Sequence, residues 1–351
     1  MPKGVPSVNA QSSTVSHPSL RRDQRGVSEV LGVVMMLAMV ITIMGRVWVF
    51  LNPYIGDFED NTNWNSANGI AERFQDRIDV AGSAPEGTGI RHTLALQSTM
   101  IQPIEKVETW TIAADLTPYY SVIVRNVNIS TIGVYSMNET ARSMSIETES
   151  SIENYAFDSS HQEVLINHTS SRQHWISVTV YDADGIAIHR SVTYIVSGIQ
   201  ITTSLGMGEH QIALMNDARV ERFPNEPWRV TQYPNLEIDT LVNGEFRLSL
   251  VLNDVLINGS LGSGNNIGMN MISLGPMTLF TGHAYNVKFT VDNALNDMIT
   301  PQYHERMLDE YTLNRASGTL DTYVAVSYTP MTLPATYSLS LSVRRISITL
   351  T

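Results

Sequence analysis

His304 and Glu305, adjacent in QYHERMLDE, come closest in the chain to the signature of a zinc-dependent hydrolase. That chemistry needs a second histidine four positions on, so that one helical turn brings both rings to the same cation. Leu308 stands there instead, and the ligand pair is missing. Asp182, Asp184 and Gly185 in YDADG open like a calcium loop, yet the later acidic ligands do not follow, and the run reads as a hairpin turn. His92, His161, His168, His174, His189, His210 and His283 show no ligand spacing. The absence of cysteine excludes disulfides, Cys-based zinc sites, iron–sulfur clusters and thiol catalysis. GSLGSG at 259–264 lacks the lysine that grips phosphate, and no nucleophile elbow or dinucleotide fingerprint occurs in its required context. The expectation is a protein that is not an enzyme, with no catalytic, cofactor-binding or metal-ligating residues. Four N-x-S/T triplets, at Asn128, Asn138, Asn167 and Asn258, are candidate glycan acceptors, chemistry that belongs to exposed loops of an exported chain.

The elements that would carry these residues are mostly strands. Period-two alternation with β-branched residues marks 92–101, 107–114, 120–127, 173–182, 187–196, 246–252, 284–291, 322–329 and 337–350, separated by Gly, Asn, Asp and Pro turns. One helix is expected near 302–315. With 351 residues, 43% hydrophobic and 16% charged, the chain can bury a full core, and the reading is a mainly-β, sandwich-like domain over 91–351. Two modules would fit that length, with a boundary near 160 or at 225–235. A net charge of −12, with no basic cluster beyond residue 26, argues against nucleic acid as a partner.

The strongest signal lies near the N-terminus. Residues 1–20 read as a disordered tail, followed by the basic cluster Arg21, Arg22 and Arg25. Then comes VSEVLGVVMMLAMVITIMGRVWVFL, Val27 to Leu51, whose only ionisable residues are Glu29 and Arg46. As a helix this stretch reaches roughly 37 Å, enough for a bilayer core of about 30 Å. The basic cluster sets its orientation: residues 1–26 stay cytoplasmic and the C-terminal bulk lies outside the cell. Asn52 and Pro53 are expected to break or kink the helix, ending the membrane segment. Over 52–90 the sequence reads as a polar spacer and then an amphipathic helix, with Ile70, Phe74 and Ile78 on one face. The fold class is therefore α+β overall, a membrane-type helix followed by a β-rich exterior domain.

The run RRDQRGVSEVLGVV resembles the class III signal peptide of archaeal type IV pilins and archaellins, in which basic residues, a small residue and an apolar helix follow in that order. Ser28 to Gly32, SEVLG, is similar to the start of many euryarchaeal pilin-like proteins. The resemblance implies cleavage by a membrane prepilin peptidase between Gly26 and Val27, with Arg25 preceding the cut. It further implies that Glu29 neutralises the new amino terminus of Val27 in a neighbouring subunit. A first-turn carboxylate favoured by the helix dipole explains Glu29 equally well. The implied function is a pilin-like structural subunit of the cell surface, held in the membrane or joined with other pilin subunits, of its own or another kind, in an extracellular pilus for adhesion or attachment. An anchored binding module that never polymerises is the alternative, which the large exterior domain and the charge of Arg46 favour.

Overall fold

Helix formation starts at Leu20 and continues without interruption to Gly82, well past the proline expected to stop it. The computed structural model describes residues 20–96, 99–118, 122–128, 131–136, 141–157, 163–167, 174–240, 242, 246–258, 266–310, 314–315, 331–332 and 338–350. The expected leader tail up to residue 19, the strand at 322–329 and Asn138 lie outside these residues. The chain divides into two compact units, 1–58 and 59–351.

Helix α1, Leu20–Gly82, thus corrects the break expected at Asn52 and Pro53. Proline removes the N–H that would donate to the carbonyl four residues back and its ring crowds that carbonyl, yet the helix carries through it. The polar run 54–66 is helical as well, so no irregular spacer separates the apolar stretch from the amphipathic one.

Within the second unit, the final part of α1 buries Ala67, Ile70, Ala71, Phe74, Ile78 and Ala81. These recur at helical spacing and form one face, as the Ile70, Phe74 and Ile78 periodicity predicts. The alanines let the helix axis approach its neighbours closely. Ile70→Val, which removes one methylene from a side chain only 2% exposed, is expected to cost about 1 kcal/mol in urea unfolding.

The strands follow in the order β1 (Gly89–Leu94), β2 (Thr99–Asp115), β3 (Val122–Asn128), β4 (Thr131–Ser136), β5 (Ser143–Thr148), β6 (Ile152–Ala156), β7 (Glu163–Asn167) and β8 (Trp175–Tyr181). Then come β9 (Ala187–Leu205), β10 (Gly208–Met215), β11 (Ala218–Arg222), β12 (Arg229–Gln232), β13 (Glu237–Thr240), β14 (Phe246–Asn258), β15 (Ile267–Gly282) and β16 (Tyr285–Asn293). Helix α2 (Ile299–Glu310), β17 (Asn314–Arg315), β18 (Met331–Thr332) and β19 (Ser338–Leu350) complete the order. One sheet is ordered β1-β15-β19-β14-β13; a larger one follows β12-β11-β10-β9-β2-β16-β18-β17, with β8, β5 and β6 branching from β9; β3, β4 and β7 form a third. β2 pairs with both β9 and β16, so strands from either side of 160 and of 225–235 share one sheet.

Two cores fill the space between the five-stranded and the large sheet. In the first, Leu248, Leu250 and Leu252 of β14 and Leu339, Leu341 and Val343 of β19 meet Trp110, Val192, Tyr194 and Phe289 of the large sheet, with Ile299, Tyr303 and Met307 of α2. In the second, the α1 face is enclosed by Ile101, Ile199, Ile201 and Ile212 on one side and Val255, Met269, Met271, Ile346 and Ile348 on the other. The long strands change phase between the cores. β9 points Val192, Tyr194 and Val196 inward and then Ile199 and Ile201. β14 switches at Asn253 and Asp254, and β19 at Arg344 and Arg345, which lie opposite that pair in a parallel register. β2 switches through a bulge between Ile104 and Glu108, where Lys106 has φ 54°. A bulge adds a residue and moves the next side chains to the other face. The slips line up into a polar waist across both sheets.

A third layer lies on the outer side of the large sheet. Val122, Ile132 and Val134 pack there on Met144, Ile146, Val178, Val180 and Ile188.

Candidate functional site

Every residue from Ser28 to Tyr54 is exposed, including Val30, Leu31, Val33, Met35, Met36 and Leu37 near one end and Trp48, Val49 and Phe50 near the other. An apolar helix surface of this length, interrupted by the charges of Glu29 and Arg46, is unfavourable in water and has the length and composition of a membrane anchor or a signal sequence. It is the one helix among the described residues long and apolar enough to cross a membrane. Arg25, Gly26 and Val27 lie in its helical backbone. Glu29 is exposed and well inside the helix, because α1 starts at Leu20. In the uncut chain Glu29 is therefore not a first-turn carboxylate; it reaches that position only in a chain starting at Val27.

In the later half of this apolar run, α1 carries a shallow groove lined by Thr42, Gly45, Arg46, Val49, Pro53 and Asp57 among others. At Gly45 the missing side chain leaves open space, since a Cβ there would meet nothing within 4 Å. The Thr42 hydroxyl donates back to the Ala38 carbonyl at 2.7 Å, which satisfies it within the helix. The Phe50 and Tyr54 rings, one turn apart, lie tilted to each other with centroids 5.4 Å apart.

Among the described residues the β unit holds several polar clusters of its own, those around Glu108, Asp254 and Asp115 among them. Glu108 is fully buried. The Trp110 indole donates to its Oε2 at 3.0 Å, while the Tyr303 hydroxyl at 2.8 Å and the Asn293 amide at 3.3 Å donate to Oε1. Burial pushes its carboxyl up to about 7, against the pull of those donors. At the waist, Asp254 accepts from the Tyr194 hydroxyl and the Ser197 amide, each at 2.8 Å. Burial raises the Asp254 carboxyl although both bonds and the Arg345 charge oppose it. On the outer face, His189 Nδ1 lies 2.8 Å from Asp115, whose other oxygen accepts from Asn286 at 2.8 Å. The His189 Nε2 has no hydrogen-bond partner.

Of the residues considered for chemistry, His304 Nε2 lies 3.2 Å from the Val291 carbonyl, a structural contact of α2. Asp182 accepts the amides of Asp184 at 2.9 Å and Ile186 at 2.8 Å, closing the β8–β9 hairpin. Asn128, Asn167 and Asn258 each fall at the C-terminal end of a strand, β3, β7 and β14. Sequence reasoning did not single out Glu108, Asp254 or Asp115. The legible signal was phase: in VETWTIAA, Glu108 shares its alternation with Trp110, Ile112 and Ala114, the core-facing set.

These clusters tie elements together: Glu108 joins β2, β16 and α2, and Asp254 joins β14 to β9. Each is buried under packed side chains, as structural carboxylates are. The exposed apolar helix is thus the surface that most needs a partner. Compared with protein-family models, characterised proteins and solved structures, the chain matched none.

Proposed function

We propose that the chain is an archaeal type IV pilin-like surface subunit, cut by a prepilin peptidase between Gly26 and Val27. Its apolar helix rests in the membrane and enters a filament with other subunits, while the β unit lies outside the cell. The observation that carries this reading is the wholly exposed apolar face of α1 from Ser28 to Tyr54, preceded by RRDQRG and beginning with SEVLG. A helix apolar on all sides has two natural surroundings, lipid and a bundle of like helices, and a pilin uses each in turn. Asn128, Asn138, Asn167 and Asn258 would then carry glycans on the exterior unit, adding bulk and solubility. Adhesion or surface attachment is the work such a subunit performs.

The test is N-terminal sequencing of the native protein from sheared filaments and from membranes. A start at Val27 in the filament fraction is expected. An intact Met1 recovered from membranes alone sinks the reading and favours an anchored module that does not polymerise. A start beyond Leu51 defeats both.

A further inference from the structure

The end of α1 is an unfavourable place for carboxylates, because the last carbonyls give a helix C-terminus partial negative charge that cations relieve. The last turn of α1 carries no basic residue, and Asp76 and Asp79 lie within the two turns that end at Gly82. A third acid comes from the large sheet: Asp217, at φ 62°, in the two-residue turn between β10 and β11. The Gln75 side chain donates to the Asp217 carbonyl at 3.3 Å and so ties that turn to the helix. The Asp79 and Asp217 carboxyl groups lie within hydrogen-bonding reach of each other. Partial desolvation first, and the Asp217 charge next, push the Asp79 carboxyl up to about 6. Asp76 adds to that field and Arg344 opposes it.

Two carboxylates in contact repel unless a positive group sits between them, a proton or a metal cation. A neighbouring oxygen favours the cation. Asn253 of β14 is only 1% exposed. Its backbone N–H donates to Asn216 Oδ1 at 3.0 Å and its side-chain amide donates to Asp217 Oδ1, which fixes the carboxamide beside the acidic pair. The Asn253 Oδ1 has no hydrogen-bond partner. It lies 3.4 Å from where a Cβ on Gly82 would stand, one turn beyond Asp79 on the same helix face. Asn253 and Asp217 also line a cavity of about 20 Å³ with Gln75 and Ile78 of α1. A proton on Asp79 satisfies Asp217 and leaves the Asn253 oxygen alone, whereas a hard cation takes lone pairs from all three side chains.

The geometry points to a calcium site formed by the Asp79 and Asp217 carboxylates and the Asn253 side-chain oxygen, joining the end of α1 to the β10–β11 turn and to β14. Calcium accepts about six to eight oxygens in adaptable arrangements, while magnesium demands a near-octahedral set. Asp79 is exposed, so water completes the shell on its outer side. Among the described residues no three acidic, His or Cys side chains converge as a metal-binding group. Asp76 therefore contributes its field and not a ligand, and with two carboxylates the site belongs to the weak class, with a Kd on the order of 1 mM. It lies wholly within the 59–351 unit and stands whether or not the chain forms a filament.

The experiment uses the full chain in mild detergent, stripped with EDTA and dialysed, at a pH above the Asp79 value and at constant ionic strength. The thermal midpoint of the β unit, followed by near-UV circular dichroism, is titrated with calcium chloride and, separately, with magnesium chloride. Calcium at about tenfold over such a Kd is expected to raise the midpoint by about 2–3 °C and then to saturate, with magnesium giving less. Asp79→Asn with Asp217→Asn keeps the side-chain shapes, suits the positive φ at 217 and removes the repulsion. Its metal-free midpoint should equal or exceed that of the unaltered chain, and its calcium response should vanish. Equal midpoints of the unaltered chain with and without calcium overturn the proposal and leave a proton as the occupant of the pair. A calcium shift that survives in the double variant overturns it too, by placing the ion elsewhere on an acidic surface. A double variant that melts well below the unaltered chain without metal contradicts the repulsion on which the site rests.

Discussion

Glu108→Ala is expected to destabilise the protein by about 4 kcal/mol. Trp110, Tyr303 and Asn293 donate to this carboxylate, and alanine leaves these donors buried without it as an acceptor. The loss reaches beyond β2, because Tyr303 fixes α2 and Asn293 ends β16. Urea unfolding followed by tryptophan fluorescence measures it directly, since Trp110 lies in the cluster. Glu108→Gln keeps the shape but brings an amide N–H against the Trp110 or Asn293 donor, and should cost less than alanine. The two variants also separate in pH. Burial raises the Glu108 carboxyl from 4.5 to about 7 on folding. A group raised in the folded state contributes stability that is present below its unfolded value and lost as pH climbs through the folded one. Between pH 4.5 and 7 the native protein should therefore lose roughly 3 kcal/mol from this group. Glu108→Gln should flatten that part of the profile, and an unchanged slope would contradict the assignment.

Gly198→Ala comes next, with an expected loss of about 3 kcal/mol. A Cβ at this position would stand 2.4 Å from the Leu214 carbonyl oxygen and 3.0 Å from the Met215 Cβ. The first of these is backbone of the neighbouring strand, so no rotamer change relieves it. Gly198 sits where β9 passes from the first core to the second, beside Ser197, whose amide is held by Asp254 and whose hydroxyl accepts from Lys106 N at 3.3 Å. Displacing β10 to admit a methyl would pull on both cores at once. The thermal midpoint of Gly198→Ala, compared with that of an alanine at the open Gly69, where a Cβ meets nothing within 4 Å, isolates the steric effect. Equal midpoints would refute the close approach.

Strands with clean alternation were legible in the sequence. The windows at 107–114, 173–182, 187–196, 246–252, 284–291 and 337–350 fall on β2, β8, β9, β14, β16 and β19. The helix read near 302–315 is α2, shifted a few residues toward the N-terminus. What escaped was continuity. The window at 187–196 ends where the phase slips at Ser197 and Gly198, so the remainder of β9 to Leu205 did not register as the same strand. β14 was cut short in the same way, at Asn253 and Asp254. Conversely, 92–101 read as one strand but holds two, β1 and β2, because alternation does not reveal which partner a strand has. β1 pairs with β15 in one sheet and the start of β2 with β9 in the other. At Pro53 the local rule gave a break or a kink, and the helix runs on through it to Gly82. The buried carboxylates were hidden for a related reason, since their donors come from elements far apart in the chain: Glu108 meets Tyr303, and Asp254 meets Tyr194.

β19 occupies the middle of the five-stranded sheet, between β15 and β14. It supplies Leu339, Leu341 and Val343 to one core and Ile346 and Ile348 to the cover over the α1 face. Neither core can close until residues 338–350 have left the ribosome. At about 5–20 residues per second, the Ile70, Phe74 and Ile78 face waits on the order of tens of seconds for its lid. Folding of the β unit is thus uncoupled in time from synthesis of its helix. The helix face stays bare through that interval, and a chaperone or an export channel that holds this chain has to shield it there first.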